Sequence, residues 1–148
     1  MRITQEADYA LRICTALSQA DKPIGAPHLS EELIIPHSFT SKIMRELLLA
    51  GILKSTRGVN GGFSLNIPAC ELTLLKIIES VDGPIAIRHC LLPEHVCRRH
   101  PSKPRCKFHI VFEDINRIIT SRLDSITIAD MVDENVSVDE LIQRLHSF

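Results

Sequence analysis

Three cysteines, Cys90, Cys97 and Cys106, have six and eight residues between them in a stretch rich in proline and charge. No regular periodicity there would bury them as apolar side chains, so three converging thiolates call for a cation. Zinc sites usually carry close C-x-x-C pairs, whereas wider spacing in an irregular loop suits a bulkier inorganic cluster. Arg88, Arg98, Arg99, Lys103, Arg105 and Lys107 surround the cysteines against the single acid Glu94. That positive charge favours thiolates and offsets the negative charge of a thiolate-bound centre. His109 follows Cys106 by one helical turn and could complete a Cys3His set, although a histidine near a helix start also suits solvent. His89, His95 and His100 are weaker candidates. Cys14 and Cys70 read as small core residues.

A second set of residues suits contact with a polyanion. From about His37 to Ala50, Phe39, Ile43, Leu47 and Leu48 form an apolar stripe, while Ser38, Thr40, Ser41, Lys42 and Arg45 fill the opposite face. Small polar and basic side chains on a helix reach base edges and phosphates in the major groove of DNA. Any amphipathic helix exposes serines and lysines, so the surroundings decide. Ahead of it, Pro27 opens a short helix covering His28 to Ile34, and Pro36 forces a restart, giving a helix-turn-helix. Behind it, Ile52 to Arg57 and Phe63 to Ile67 flank the loop Gly58-Val59-Asn60-Gly61-Gly62 and form a glycine-tipped hairpin. Arg57 brings charge to that wing, and Asn60, Gly61 and Gly62 give it clearance against a DNA backbone.

The elements that carry these groups follow from spacing and punctuation. Ile3, Ala7, Ala10, Leu11, Cys14 and Leu17 recur at helical spacing behind a capping Thr4. Thr73 caps a helix bearing Leu74, Ile77, Ile78 and Val81, which Asp82-Gly83-Pro84 stops. After an aperiodic stretch, Phe112, Ile115, Ile119, Leu123 and Ile126 define a long helix, with Val111 and Ile118 widening the stripe, and residues 137–145 form a short last one. The expected fold is mainly α with a small β-hairpin wing. It comprises a winged helix-turn-helix over residues 1–82, a cysteine loop over 83–108, and a dimerisation helix with its tail over 109–148.

Composition narrows the function. A chain of 148 residues with 45% hydrophobic content builds one core, and a net charge of -1 means that local charge must carry any contact with DNA. Charges interrupt the apolar runs, so neither a membrane span nor a signal peptide is expected, and the chain reads as cytoplasmic. Five cysteines in a reducing compartment are not a disulfide framework. Without a paired acid-base constellation, a phosphate loop or a C-x-x-C motif, an enzyme acting on a small-molecule substrate is not expected.

MRITQEADYALR at the start, RGVNGGF at the hairpin, CLLPEHVCRRHPSKPRCKFH in the loop and SITIADMVDEN in the tail together resemble the Rrf2 family of winged-helix transcription regulators, with its IscR-like and NsrR-like branches. The resemblance implies a homodimer on a double-stranded DNA operator, with Phe112, Ile115, Ile119 and Leu123 as the dimer seam. It implies that Cys90, Cys97 and Cys106 hold a 2Fe–2S or 4Fe–4S cluster. The fourth ligand is His109, as in IscR-like members, or Asp8 of the partner subunit, as in NsrR-like ones. The gap between Cys97 and Cys106 is longer than the family's usual spacing. The reading is of a repressor whose operator binding responds to iron, redox or nitric oxide status through the cluster. Its rivals are a winged-helix regulator whose cysteines act as a thiol sensor or a structural zinc site, and a small thiol-dependent enzyme.

Overall fold

Capping residues mark the helix ends where the spacing places them. The computed structural model describes residues 3–59, 61–92, 94–95, 97 and 106–146. Asn60, Arg98, Arg99, His100, Lys103 and Arg105, singled out above, lie outside the described residues. Helix α1 (Gln5–Ser18) starts at Thr4, whose hydroxyl accepts the Ala7 N–H at 3.1 Å, and it turns Ala7, Ala10, Ile13, Cys14 and Leu17 inward. Thr4 also donates to the Asp82 carboxylate at 2.5 Å, which ties the start of α1 to the end of α4 (Leu74–Asp82).

Helix α2 (Ala26–Glu32) ends two residues short of the expected Ile34, and α3 spans His37–Leu49. Ile34 turns the chain between them with φ at 55°, a left-handed conformation that a β-branched residue adopts only under strain. The turn is closed from Ser30, whose carbonyl accepts the Ile35 N–H and whose hydroxyl donates to the Ile35 carbonyl. Gly51, with φ at 69°, stops α3, while the N–H groups of Gly51 and Ile52 bond to the Leu48 and Leu47 carbonyls in a Schellman pattern.

Strands β1 (Leu53–Thr56) and β2 (Gly62–Leu65) pair antiparallel from Leu53↔Leu65 to Thr56↔Gly62. Ile24 adds a short third edge through two backbone bonds to Phe63. Past a 3-10 turn (His89–Leu91) come α5 (Lys107–Asp124), α6 (Ile128–Val132) and α7 (Val138–His146). Helix α6 is an element that the spacing did not reveal. It packs on α1, and its entry pairs with that of α4 through the Thr73↔Thr127 bridge.

The core lies between α1, α3, α4 and the root of the wing. Ile13, Leu29, Ile43, Leu47, Ile52, Leu72 and Ile77 are fully buried there, and Ile128 joins them from α6. Each stabilises the fold by roughly 1.5 to 3 kcal/mol relative to exposure. Ile126, expected on the long helix, lies beyond its end and is buried beside α6. Cys14 is buried as expected, and burial pushes its thiol up to about 12. Cys70, expected in the core, is exposed in the turn before α4.

Candidate functional site

Two groups of side chains separate along the molecule. The first is the outer face of α3. Ser38, Ser41, Lys42 and Arg45 are exposed on it, but Thr40 is not. Thr40 is fully buried with its hydroxyl toward the Pro36 carbonyl, so its position on the helix belongs to the core-facing arc and it cannot read DNA. The inward arc of α3 is wider than the Phe39–Ile43–Leu47 stripe suggests, taking in Thr40 and Met44 as well. Lys42 is engaged from α1, since its ammonium lies 2.6 Å from a Glu6 carboxylate oxygen.

Arg57 and Val59 stand exposed near the tip of the wing. The glycines have a different reason from the one expected. A Cβ on Gly61 would sit 2.4 Å from the Thr56 carbonyl oxygen, and one on Gly62 would sit 2.7 Å from the Ile24 backbone. Both positions need glycine for the hairpin to close on its own chain, before any approach to DNA is considered.

The second group lies along the strap after α4. Gly83 leaves α4 with φ at 76°, and the next residues are pinned from both neighbouring helices. Glu79 of α4 accepts the Ile85 N–H at 3.1 Å. Asn116, midway along α5, donates to the Ile85 carbonyl at 2.9 Å and accepts the Ile87 N–H at 3.0 Å. The Arg88 guanidinium then lies over the rings of Phe112 and Phe108 at 5.3 and 5.7 Å. The 3-10 turn carrying Cys90 follows at once and packs on α5. Sequence reasoning passed over Glu79 and Asn116, and the available signal was an amide in the middle of an apolar stripe.

Cys90, Cys97 and Cys106 are free thiols of intermediate exposure, and Cys106 is the residue from which α5 starts. His109, in the first turn of α5, is mostly buried at 12% side-chain exposure, with Nε2 3.9 Å from Glu113. Its Nδ1 is buried and has no hydrogen-bond partner. An unpaired polar atom at such a position calls for a ligand or a proton acceptor to satisfy it. Among the described residues, no three His, Cys, Asp or Glu side chains gather closely enough to hold one metal ion. Asp8, the other candidate ligand, is paired with Arg12 at 2.7 Å on the partly exposed side of α1.

None of the described residues of α5 is fully buried. Phe108, Val111, Ile115 and Ile118 are 40 to 68% exposed and form one row at helical spacing. Of the expected seam, Ile115 lies in that row. Phe112 sits under Arg88 and Leu123 lines a cavity of about 260 Å3 with Ile78 and Ile85, so these two face the body of the molecule.

Residues 3–134 match the family Rrf2, described as iron-dependent transcriptional regulator. The HTH-type transcriptional regulator IscR of Yersinia enterocolitica is 29% identical over 146 residues, which cover 97% of this chain and 86% of that one. Among solved structures, CymR, the global cysteine regulator of B. subtilis, has a TM-score of 0.69 at 23% identity, over 88% of this chain and 95% of that one. IscR of T. potens has a TM-score of 0.67 at 22% identity, over 89% and 86%. These two likenesses establish the winged helix-turn-helix fold.

Proposed function

This chain belongs to the Rrf2 family of transcriptional regulators, and from that premise we propose that it is a homodimeric, DNA-binding repressor whose operator affinity is set by an iron–sulfur cluster on Cys90, Cys97 and Cys106. The observation that carries the cluster is the buried, unpartnered Nδ1 of His109, one turn after Cys106 and beside the helix on which the Cys90 turn packs. Three thiols and one imidazole are the donor types that such a cluster takes. His109 is favoured as the fourth ligand over Asp8 of the partner subunit, because in this chain Asp8 is already occupied by Arg12. When bound, the cluster supplies a centre that iron shortage, oxidants or nitric oxide can dismantle.

The protein's own contribution is leverage. Asn116 and Arg88 fix the strap to α5, and Glu79 fixes the same strap to α4, whose far end contacts α1 through Thr4. A change in the cysteine loop therefore bears on both the dimer helix and the reading unit. Two α3 helices presenting Ser38, Ser41, Lys42 and Arg45, with Arg57 and Asn60 on the wings, must meet half-sites about 34 Å apart. A coupling of about 1 to 3 kcal/mol changes occupancy 5- to 150-fold. The exposed row on α5 is the surface that a second copy covers. A regulator of this kind works in the cytoplasm without a small-molecule substrate, and no described helix is long and apolar enough to cross a membrane.

Anaerobic isolation tests the cluster. Visible charge-transfer absorption with matching iron and sulfide is expected, lost in Cys97→Ala together with any oxidant dependence of operator binding. Iron-free protein that resists reconstitution would overturn it. A colourless protein with zinc or with oxidant-sensitive thiols would select the second reading. That reading is favoured by the absence, among the described residues, of a gathered ligand set.

A further inference from the structure

Glu6 has no place in the account so far, yet it holds a cation of the proposed reading face. Its carboxylate lies 2.6 Å from the Lys42 ammonium, with 29% of the Glu6 side chain and 55% of the Lys42 side chain exposed. The contact is built from the fold rather than formed by two loose surface chains. Thr4 fixes the start of α1, Ala7 and Ala10 are fully buried against the core, and Tyr9 meets Phe39 edge-on at 6.0 Å. These contacts bring the first turn of α1 against α3, and Glu6, Ser38, Phe39 and Lys42 line one cleft of about 270 Å3. Glu46, one turn further along α3, adds negative potential at the same ammonium.

We propose that Glu6 is an electrostatic brake on DNA binding, acting through Lys42. The inference rests on α3 being the DNA-reading helix. Phosphate contacts draw their affinity from released counterions, and a lysine already neutralised by a carboxylate releases none. If Lys42 instead exchanges Glu6 for a phosphate, an unpaired carboxylate is left beside the DNA backbone and repels it. Either way one backbone contact is suppressed. In a chain of net charge -1, with Lys42 and Arg45 as the cations of that face, this is a large share of the local charge. The brake keeps the protein from being held on bulk DNA.

The test is a binding titration of Glu6→Gln, which keeps the side chain's shape, against operator and random-sequence duplexes over a range of salt. Glu6→Gln is expected to tighten binding to both duplexes and to steepen the salt slope by about 0.9, so that affinity falls about threefold more between roughly 50 and 200 mM salt than in the wild type. Glu6→Asp should lie between the two. The gain should vanish when Lys42→Gln is added. A wild-type slope in Glu6→Gln, or a gain that survives Lys42→Gln, overturns the brake. Arg45→Ala separates this from failure of the underlying reading: weaker binding in Arg45→Ala keeps α3 as the reading helix, and unchanged binding removes it and the brake with it.

Discussion

The reading unit and the strap with α5 are built on opposite terms. From α1 to α4 the chain buries its own apolar residues, with Ile13, Ile43, Leu47 and Ile77 fully covered and the helix ends capped from within. Helix α5 is longer than any of those helices, yet it leaves Phe108, Val111, Ile115 and Ile118 in solvent and the Nδ1 of His109 without a partner. One region is complete as a single chain. The other is completed by what binds to it, which is the physical requirement for a sensor: the part that must respond to something is the part whose interactions are left open.

The widest separation between the two regions should come from charge placed on the exposed row. Ile115→Asp combined with Ile118→Asp is expected to give a folded monomer by sedimentation, with operator affinity lowered about 10²- to 10⁴-fold as the linked second half-site is lost. A variant that remains dimeric would move the dimer contact elsewhere. Next in size is the contrast within stability itself. Ile43→Ala should cost about 2 to 5 kcal/mol by urea denaturation, since it empties a filled site, whereas Ile118→Ala measured at protein concentrations low enough to keep the chain monomeric should stay within about 0.5 kcal/mol. Equal losses would mean that α5 is covered by its own chain.

Gly62 probes the reading unit at a point where backbone meets backbone. Gly62→Ala forces a Cβ to within 2.7 Å of the Ile24 carbonyl carbon. Since neither strand can give way alone, a loss of about 1 to 3 kcal/mol is expected in a denaturant melt, together with weaker DNA binding as the wing shifts. Stability unchanged from wild type would show that the Ile24 edge is dispensable.

The sequence made legible what local chemistry decides. Thr4 and Thr73 cap, Gly51 and Gly83 stop, and the ends of α1, α3 and α4 fall accordingly. The hairpin followed from its glycines, but their reason did not, because the atom that Gly62 must clear belongs to Ile24, 38 positions earlier. Thr40 and Cys70 went the wrong way for a related reason, since how wide an arc a helix buries depends on what the rest of the chain lays against it. Periodicity found the apolar residues of α5 without saying which of them the strap would cover. Helix α6 is too short for periodicity, although Thr127 and Asp130, three apart, carried a capping-box signal. The types and spacing of the cysteines pointed to a metal centre, whereas the residues that hold their loop in place, Glu79 and Asn116, become visible only once the fold joins them.

Ile34 offers a smaller and opposite effect. Relieving a β-branched residue from φ at 55° should stabilise the reading unit. Because Ile34 is 87% exposed and its side chain contributes little burial, Ile34→Asn should gain about 1 kcal/mol in the same melt. A loss would mean that the exposed side chain is covered in the assembled protein.

The smallest effect lies where α6 and α7 meet. The Asp130 carboxylate is held below the ordinary carboxylate range, first by the hydrogen bond that the Thr127 hydroxyl donates to it and then by the Thr127 N–H and the Arg144 guanidinium, at 2.7, 2.9 and 2.7 Å. A depressed folded-state value means that these contacts stabilise the fold above the unfolded carboxylate value of about 4 and are lost as pH falls through the lower folded-state value. Asp130→Asn keeps the shape but removes the charge, so wild type should exceed it in stability near neutral pH, and the difference should shrink toward zero below about pH 3. Since the side chain is partly exposed and solvent screens the pair, the change should be small beside that of Ile43→Ala. A difference that stays constant across that range would mean that Asp130 acts by its shape alone, and that α7 is joined to the reading unit by packing rather than by charge.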